Sequence, residues 1–144
     1  MMTRNTILRL EVSGQGLHEI TSRVRDAVDA LRAARPEYAD DGLVTLFLRH
    51  TSASLLIQEN ADPSARRDLE AWLARLVPEG DALYTHTLEG PDDMPAHLRA
   101  ALTATQLAVP LVDGELALGT WQGLYLWEHR RAGGRRELVV HLGA

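Results

Sequence analysis

Apolar residues recur at two spacings along this chain, and the switches between them mark out its elements. Over residues 6 to 12 they alternate, with Leu8, Leu10 and Val12 on one side and Arg9 and Glu11 on the other, the pattern of a half-buried strand. After a turn at Ser13 to Gly16 the spacing lengthens. From Thr21, read as a helix N-cap, Val24, Ala27, Val28 and Leu31 fall at i, i+3, i+4 and i+7. A helix to about Ala34 follows, with Pro36 as its stop.

Period two returns over residues 43 to 50 and sorts Val44, Leu46, Leu48 and His50 onto one face, with Leu43, Thr45, Phe47 and Arg49 on the other, so His50 closes an apolar stripe. A short strand over Ser54 to Gln58 precedes Asp62-Pro63, an N-cap with proline at the first helical position, and Leu69, Trp72, Leu73 and Leu76 predict the buried face of a second helix. Tyr84 to Thr87 reads as extended. The polar loop EGPDDMP then leads into a short helix over about 95 to 103, which Asp92 and Asp93 can cap. Strands are expected at Gln106 to Val112, Glu115 to Leu118, Gln122 to His129 and Arg136 to Leu142, with turns at Asp113-Gly114 and Gly133-Gly134. About seven strands and three helices without βα alternation make the fold class α+β, a mainly antiparallel sheet partly covered by helices.

The length of 144 residues suits one compact domain, so 1–144 is read as a single unit. There is no cysteine, which excludes disulfides, thiolate nucleophiles and cysteine-type metal sites. All 15 basic residues are arginine, which excludes a Schiff-base lysine and a Walker-type phosphate lysine, and composition bias is the simplest reading of that absence. A net charge of -5 argues against binding nucleic acid or an anionic membrane surface, because both require a cationic face. With no signal-peptide-like start and no membrane-length apolar run, a cytoplasmic location is expected.

Six histidines are available, none in a short metal motif. A lone histidine is more often a surface or hydrogen-bonded core residue, yet three have telling contexts. His50 ends an inward stripe and is followed by Thr51-Ser52-Ala53-Ser54, small residues that leave room for a ligand; His86 lies beside an acidic loop; and His97 falls in the first turn of the third helix, where the dipole favours a neutral, metal-binding imidazole. Three imidazoles from separate elements make the open face of a catalytic metal site. On the strand from Gln122, Glu128 lies with Leu124 and Leu126, and His129 lies with Tyr125 and Trp127. A carboxylate on an apolar face needs a metal, an arginine or a polar pocket, which makes Glu128 the candidate ligand or general base. In GTWQG, residues 119 to 123, two glycines bracket Trp121 and allow either a strand bulge or the close approach of a ligand.

Taken in order, HTSASLLIQENADP at 50 to 63, Tyr84 to His86, EGPDDMPAHLR at 89 to 99 and GTWQGLYLWEHR at 119 to 130 resemble the YjbQ family, also called UPF0047. The resemblance implies a two-layer α+β fold, a homotrimer with sites near subunit boundaries, and a secondary thiamine-phosphate synthase activity that joins a thiazole phosphate to a pyrimidine diphosphate with release of pyrophosphate. It also implies a divalent metal, zinc, at His50, His86 and His97; magnesium is the alternative ion for turnover. Carried onto this chain, the other motif residues are Glu59, Asn60 and Glu128 as catalytic candidates, and Trp121 and Gln122 as substrate-binding ones; His129 carries less weight. Arg49, Arg99, Arg130 or Arg136 could clamp phosphate oxygens bidentately, with Arg49 and Arg130 the preferred pair. The alternatives are a zinc-dependent hydrolase of a small phosphorylated substrate and a non-catalytic, metal-stabilised trimeric binding protein.

Overall fold

A computed structural model of the chain describes residues 4–34 and 40–143, so Pro36, the expected helix stop, lies outside the described residues. Eight strands and three helices follow one another as β1 (Asn5–Val12), β2 (Gly16–Glu19), α1 (Thr21–Ala33), β3 (Gly42–Leu48), β4 (Ala53–Glu59), α2 (Pro63–Leu76), α3 (Asp93–Leu102), β5 (Gln106–Val112), β6 (Glu115–Leu116), β7 (Gln122–Glu128) and β8 (Gly134–Gly143). The fold is α+β. Every strand pairing is antiparallel, in one sheet ordered β1-β8-β3-β5-β6 and a second ordered β2-β7-β4.

Alternation decides what faces the interior. Leu10 and Val12 of β1, Val44, Leu46 and Leu48 of β3, and Leu138, Val140 and Leu142 of β8 form the inner face of the larger sheet. They pack with Val24, Val28 and Leu31 of α1 and with Leu55, Leu124 and Leu126 from one face of the smaller sheet. The other face of β7, Tyr125 and Trp127, is covered by Leu73 of α2 with Val77 and Leu17. Strand β7 is therefore buried on both faces, and neither Glu128 nor His129 reaches open solvent.

Several local expectations shift. Thr21 is the first helical residue rather than the cap, which is Ile20; its hydroxyl donates to Glu19 Oε2 at 2.8 Å and accepts the Leu124 amide at 2.9 Å. Asp62 does cap α2, its Oδ1 taking the Ser64 amide at 2.9 Å with Pro63 beginning the helix. Of the face assigned to α2 only Leu73 is buried, whereas Trp72 and Leu76 stay half exposed because the covered sheet is just three strands wide. Residues 84 to 87 form no strand; Tyr84 is held by its hydroxyl on the Pro78 carbonyl at 2.9 Å. At the Asp113-Gly114 turn both residues have positive φ, 49° and 81°, the backbone a two-residue hairpin of primed type requires.

Candidate metal centre

The candidate centre grows from the start of α3 and the loops that flank it. Asp93, its first residue, is almost completely buried, at 1% exposure. Its Oδ2 lies 2.7 Å from His86 Nε2 and 3.1 Å from His97 Nε2, the latter one turn further along the same helix. Its Oδ1 takes Arg130 Nη1 at 2.5 Å. Burial alone would raise the Asp93 pKa, but the His86 hydrogen bond and the charges of His97 and Arg130 outweigh it and hold the carboxyl below its ordinary value.

Ligand atoms of His86, Asp93 and His97 all lie within 4.8 Å of one another. The tautomer of His97 suits an ion. Its Nδ1 faces the Thr51 carbonyl at 3.0 Å, which can only accept, so Nδ1 carries a proton, and a neutral ring would turn the lone pair of Nε2 towards an ion. Ser52 Oγ lies at 3.3 Å from the same nitrogen. His97 is the fifth residue of α3, so it lies just past the first turn, where its Nδ1 meets this carbonyl. Two imidazole nitrogens aimed at one carboxylate oxygen make a two-histidine, one-carboxylate donor set of a kind zinc accepts, with positions left over for water or substrate.

His50 stands next to this group and not among its three ligand atoms. Its Nδ1 accepts the Ser52 amide at 2.9 Å, so the neutral ring carries its proton on Nε2. Burial, then the Arg136 charge, lowers its pKa, against an upward pull from Glu128. The ring is thus a neutral donor beside the ligand group.

Glu128 meets an arginine. Arg136 from the inner face of β8 grips it with Nε on Oε1 at 2.6 Å and Nη2 on Oε2 at 3.0 Å, and Oε2 also takes the Arg130 amide at 3.0 Å. Both oxygens are engaged in a pair whose side chains are 0% and 9% exposed. Arg130, so anchored through its backbone, spends its guanidinium on Asp92 Oδ2, Asp93 Oδ1 and the Glu89 carbonyl. The chain of contacts Arg136–Glu128–Arg130–Asp93 links the interior of the larger sheet to the ligand group.

The other motif residues sit elsewhere. Glu59 pairs in register with Gln122 at the opposite end of β7 from Glu128. There the Asn60 amide donates to the Trp121 carbonyl at 3.0 Å, its Nδ2 to Glu19 Oε2 at 3.1 Å, and Gln122 Oε1 takes the Gly119 amide at 2.8 Å. Trp121 is 63% exposed. A seven-residue strand spans about 20 Å, so within one chain Glu59, Asn60, Trp121 and Gln122 are not brought to the histidines. Arg49 is exposed on the end of β3. Asp93 is the member of this group that the sequence offers only as a cap; its i, i+4 spacing from His97 is the available signal.

Fold and centre together define an antiparallel α+β protein of two packed sheets with a histidine- and aspartate-lined site at the end of the smaller one. The family model described as UPF0047 protein YjbQ-like matches residues 6–144, and the chain belongs to that family. It is 48% identical over 136 residues to a UPF0047 protein of Synechocystis sp., covering 94% of this chain and 88% of that protein. With UPF0047 protein YjbQ of Salmonella typhimurium it shares 40% over 135 residues, 94% of each chain. Among solved structures, a conserved hypothetical protein from Thermus thermophilus superposes with a TM-score of 0.81 at 34% identity, covering 95% of this chain and 98% of that one. Among the described residues no helix is long and apolar enough to cross a membrane.

Proposed function

We propose that the chain is a metal-dependent enzyme acting on a small phosphorylated molecule, with a divalent ion, zinc, held by His86, Asp93 and His97. The observation that carries this reading is the convergence of two imidazole Nε2 atoms on a single buried carboxylate oxygen. An ion held there supplies a Lewis acid for phosphate or carbonyl oxygens. The rest is done by the chain itself. Arg130 fixes the orientation of Asp93, the Thr51 carbonyl fixes the tautomer of His97, and neutral His50 offers an Nε2 proton beside them. An open groove of about 410 Å³ runs along Tyr84, His86, Met94 and Pro95, adequate for a small heterocycle. The guanidinium of Arg130 is saturated by acids and a carbonyl, which leaves exposed Arg49 as the phosphate handle.

The specific reaction we propose is the condensation of a thiazole phosphate with a pyrimidine diphosphate, releasing pyrophosphate, with magnesium as the alternative ion for turnover. Assembly belongs to the same proposal. The outer face of the larger sheet keeps Leu43, Phe47 and Val112 about half exposed, an apolar area suited to further copies of the chain in a cytoplasmic homotrimer. Packing of that kind offers a route by which Glu59, Asn60, Trp121 and Gln122 of one copy meet the histidines of another.

The test is metal analysis of the purified chain followed by a pyrophosphate-release assay on paired thiazole and pyrimidine phosphates. About one zinc per chain, lost in His97→Ala, and metal-dependent release of pyrophosphate are expected. Absence of stoichiometric metal uptake after zinc loading overturns the centre, and uptake without turnover leaves a metal-binding protein in place of the enzyme.

A further inference from the structure

On the face of β7 turned away from the main core, beneath α2, lies a cavity of about 90 Å³ that shares no residue with the His86, Asp93 and His97 group. Its walls include Gln15, Glu70, Ala74, Arg99, Trp127 and His129. That volume accommodates a few water molecules or one small polar molecule.

Two of its buried polar groups are left with open valences. Arg99, 7% exposed, places Nε and Nη2 on the single carbonyl of Val77, at 3.2 and 2.7 Å, and Nη1 has no acceptor among the described residues. Among the described residues no carboxylate lies within ion-pair distance of it: Glu79, the acid whose charge acts on it most, is engaged by Arg131. His129, 1% exposed, meets Ser54 Oγ through Nε2 at 2.8 Å, and its Nδ1 has no partner among the described residues. If the Ser54 hydroxyl donates, the ring proton sits on Nδ1 and the imidazole becomes a second donor. A guanidinium taken out of water without a counter-charge is costly, and such a group retained in a cavity marks a place for an anion. Across the cavity, the Glu70 carboxylate leans against Gly16, its Oε2 2.8 Å from where a β-carbon on that glycine would lie. It makes no hydrogen bond or ion pair among the described residues, and its charge disfavours a dianion.

We propose that this cavity binds a small monoanionic oxyanion of the carboxylate class, the size of formate or bicarbonate, with its oxygens on Arg99 Nη1 and His129 Nδ1. Selectivity follows from the walls. Volume excludes larger acids, and Glu70 repels phosphate while accepting a proton-bearing group such as the hydroxyl of bicarbonate.

The experiment is side-chain nitrogen NMR of His129 in the full chain, titrated separately with sodium formate, sodium bicarbonate and inorganic phosphate at fixed pH and ionic strength, with sodium chloride as reference. A saturable shift with formate or bicarbonate, and none with phosphate or chloride, is expected; whichever of the two binds more tightly identifies the source. Glu70→Gln should tighten binding about fivefold, the order expected for removing one nearby like charge at a partly screened site. Ala74→Leu closes the cavity from α2 while leaving Arg99 and His129 in place, and should abolish the shift with the melting temperature unchanged. Arg99→Gln should abolish it too, and if that variant does not fold, Ala74→Leu still decides. An unshifted His129, a shift equal in chloride, or a shift that survives Ala74→Leu overturns the proposal.

Discussion

Removing the charge of Glu128 tests the link between the interior and the candidate centre. Glu128→Gln keeps shape and volume but leaves the Arg136 guanidinium, itself nearly buried, without its counter-charge. Breaking a buried ion pair from one side costs about 3 to 5 kcal/mol, since an unpaired charge remains in a poor solvent. An amide still accepts one hydrogen bond, so the lower figure, about 3 kcal/mol, is the working value. For a chain of this length the unfolding entropy is about 0.3 kcal/mol/K, so the melting temperature should fall by about 10 °C. Arg136→Met should cost a comparable amount. The double variant should be less destabilised than the sum, by a coupling of about 3 kcal/mol, because the orphaned charge is then gone.

Thermal and urea melts of the four proteins supply these numbers, and zinc affinity of the same set supplies a second readout. Glu128 also takes the Arg130 amide, and Arg130 holds Asp93, so loosening it should weaken metal binding by about tenfold, the lower end for groups that orient a ligand. A Glu128→Gln protein that melts within a degree of the parent refutes the ion-pair account. If stability and metal affinity are both preserved while turnover alone collapses, Glu128 is a general base and its partnership with Arg136 is incidental.

Burial, and then the Arg99 charge, pushes the His129 pKa down to about 3, so the unfolded chain takes up this proton first. Stability should therefore be full above the unfolded value near 6.5 and fall as pH drops towards 3, by up to about 1.4 kcal/mol per pH unit; urea melts of the parent against His129→Gln measure it, and equal slopes refute it. Gly123→Ala should destabilise the chain by about 1 to 3 kcal/mol, because a β-carbon there would lie 2.8 Å from Glu19 Oε2 and 2.9 Å from Asn60 Cβ; unchanged melting would show that both yield freely. Light scattering should give three times the 15.9 kDa chain mass, and Phe47→Arg, on the half-exposed outer face, should reduce it to one. A trimer untouched by Phe47→Arg would move the interface elsewhere.

Much of the fold was legible because alternation survives into structure wherever one face is dry. The inward sets of β1 and β3 could be read from sequence, and the opposite facing of Glu128 and His129 follows from parity alone. What parity cannot tell is how much of the far face is covered. His129 reads as pointing away from the core, yet α2 lies over that face and buries it. Strand β2 escaped notice because four residues, Gly16 to Glu19, are too short to show a period and are defined only by pairing with β7. Of the three residues that converge in the candidate centre, His86 and His97 were legible from their contexts. Asp93 was not, because a carboxylate at a helix start has a commoner use as a cap, and its tie to Arg130 spans 37 positions that no local spacing rule reaches.

The all-arginine composition, ordinary as a bias, acquires a physical role at three positions inside the structure. Arg136 binds both oxygens of Glu128, Arg130 joins Asp92 to Asp93 and reaches a carbonyl besides, and Arg99 puts two nitrogens on one carbonyl while keeping a third for the cavity. Each of these tasks uses the rigid fork of a guanidinium, with donors set at fixed angles; a lysine ammonium would satisfy one acceptor well and abandon the others. Two of the forks also hold α3. Arg130, just past β7, fixes its first residue, and Arg99 ties its second turn to the end of α2, so the helix that carries Asp93 and His97 is clamped at two points. A ten-residue helix has little packing area of its own, and polar clamps at its first and seventh residues hold Asp93 and His97 at fixed separation.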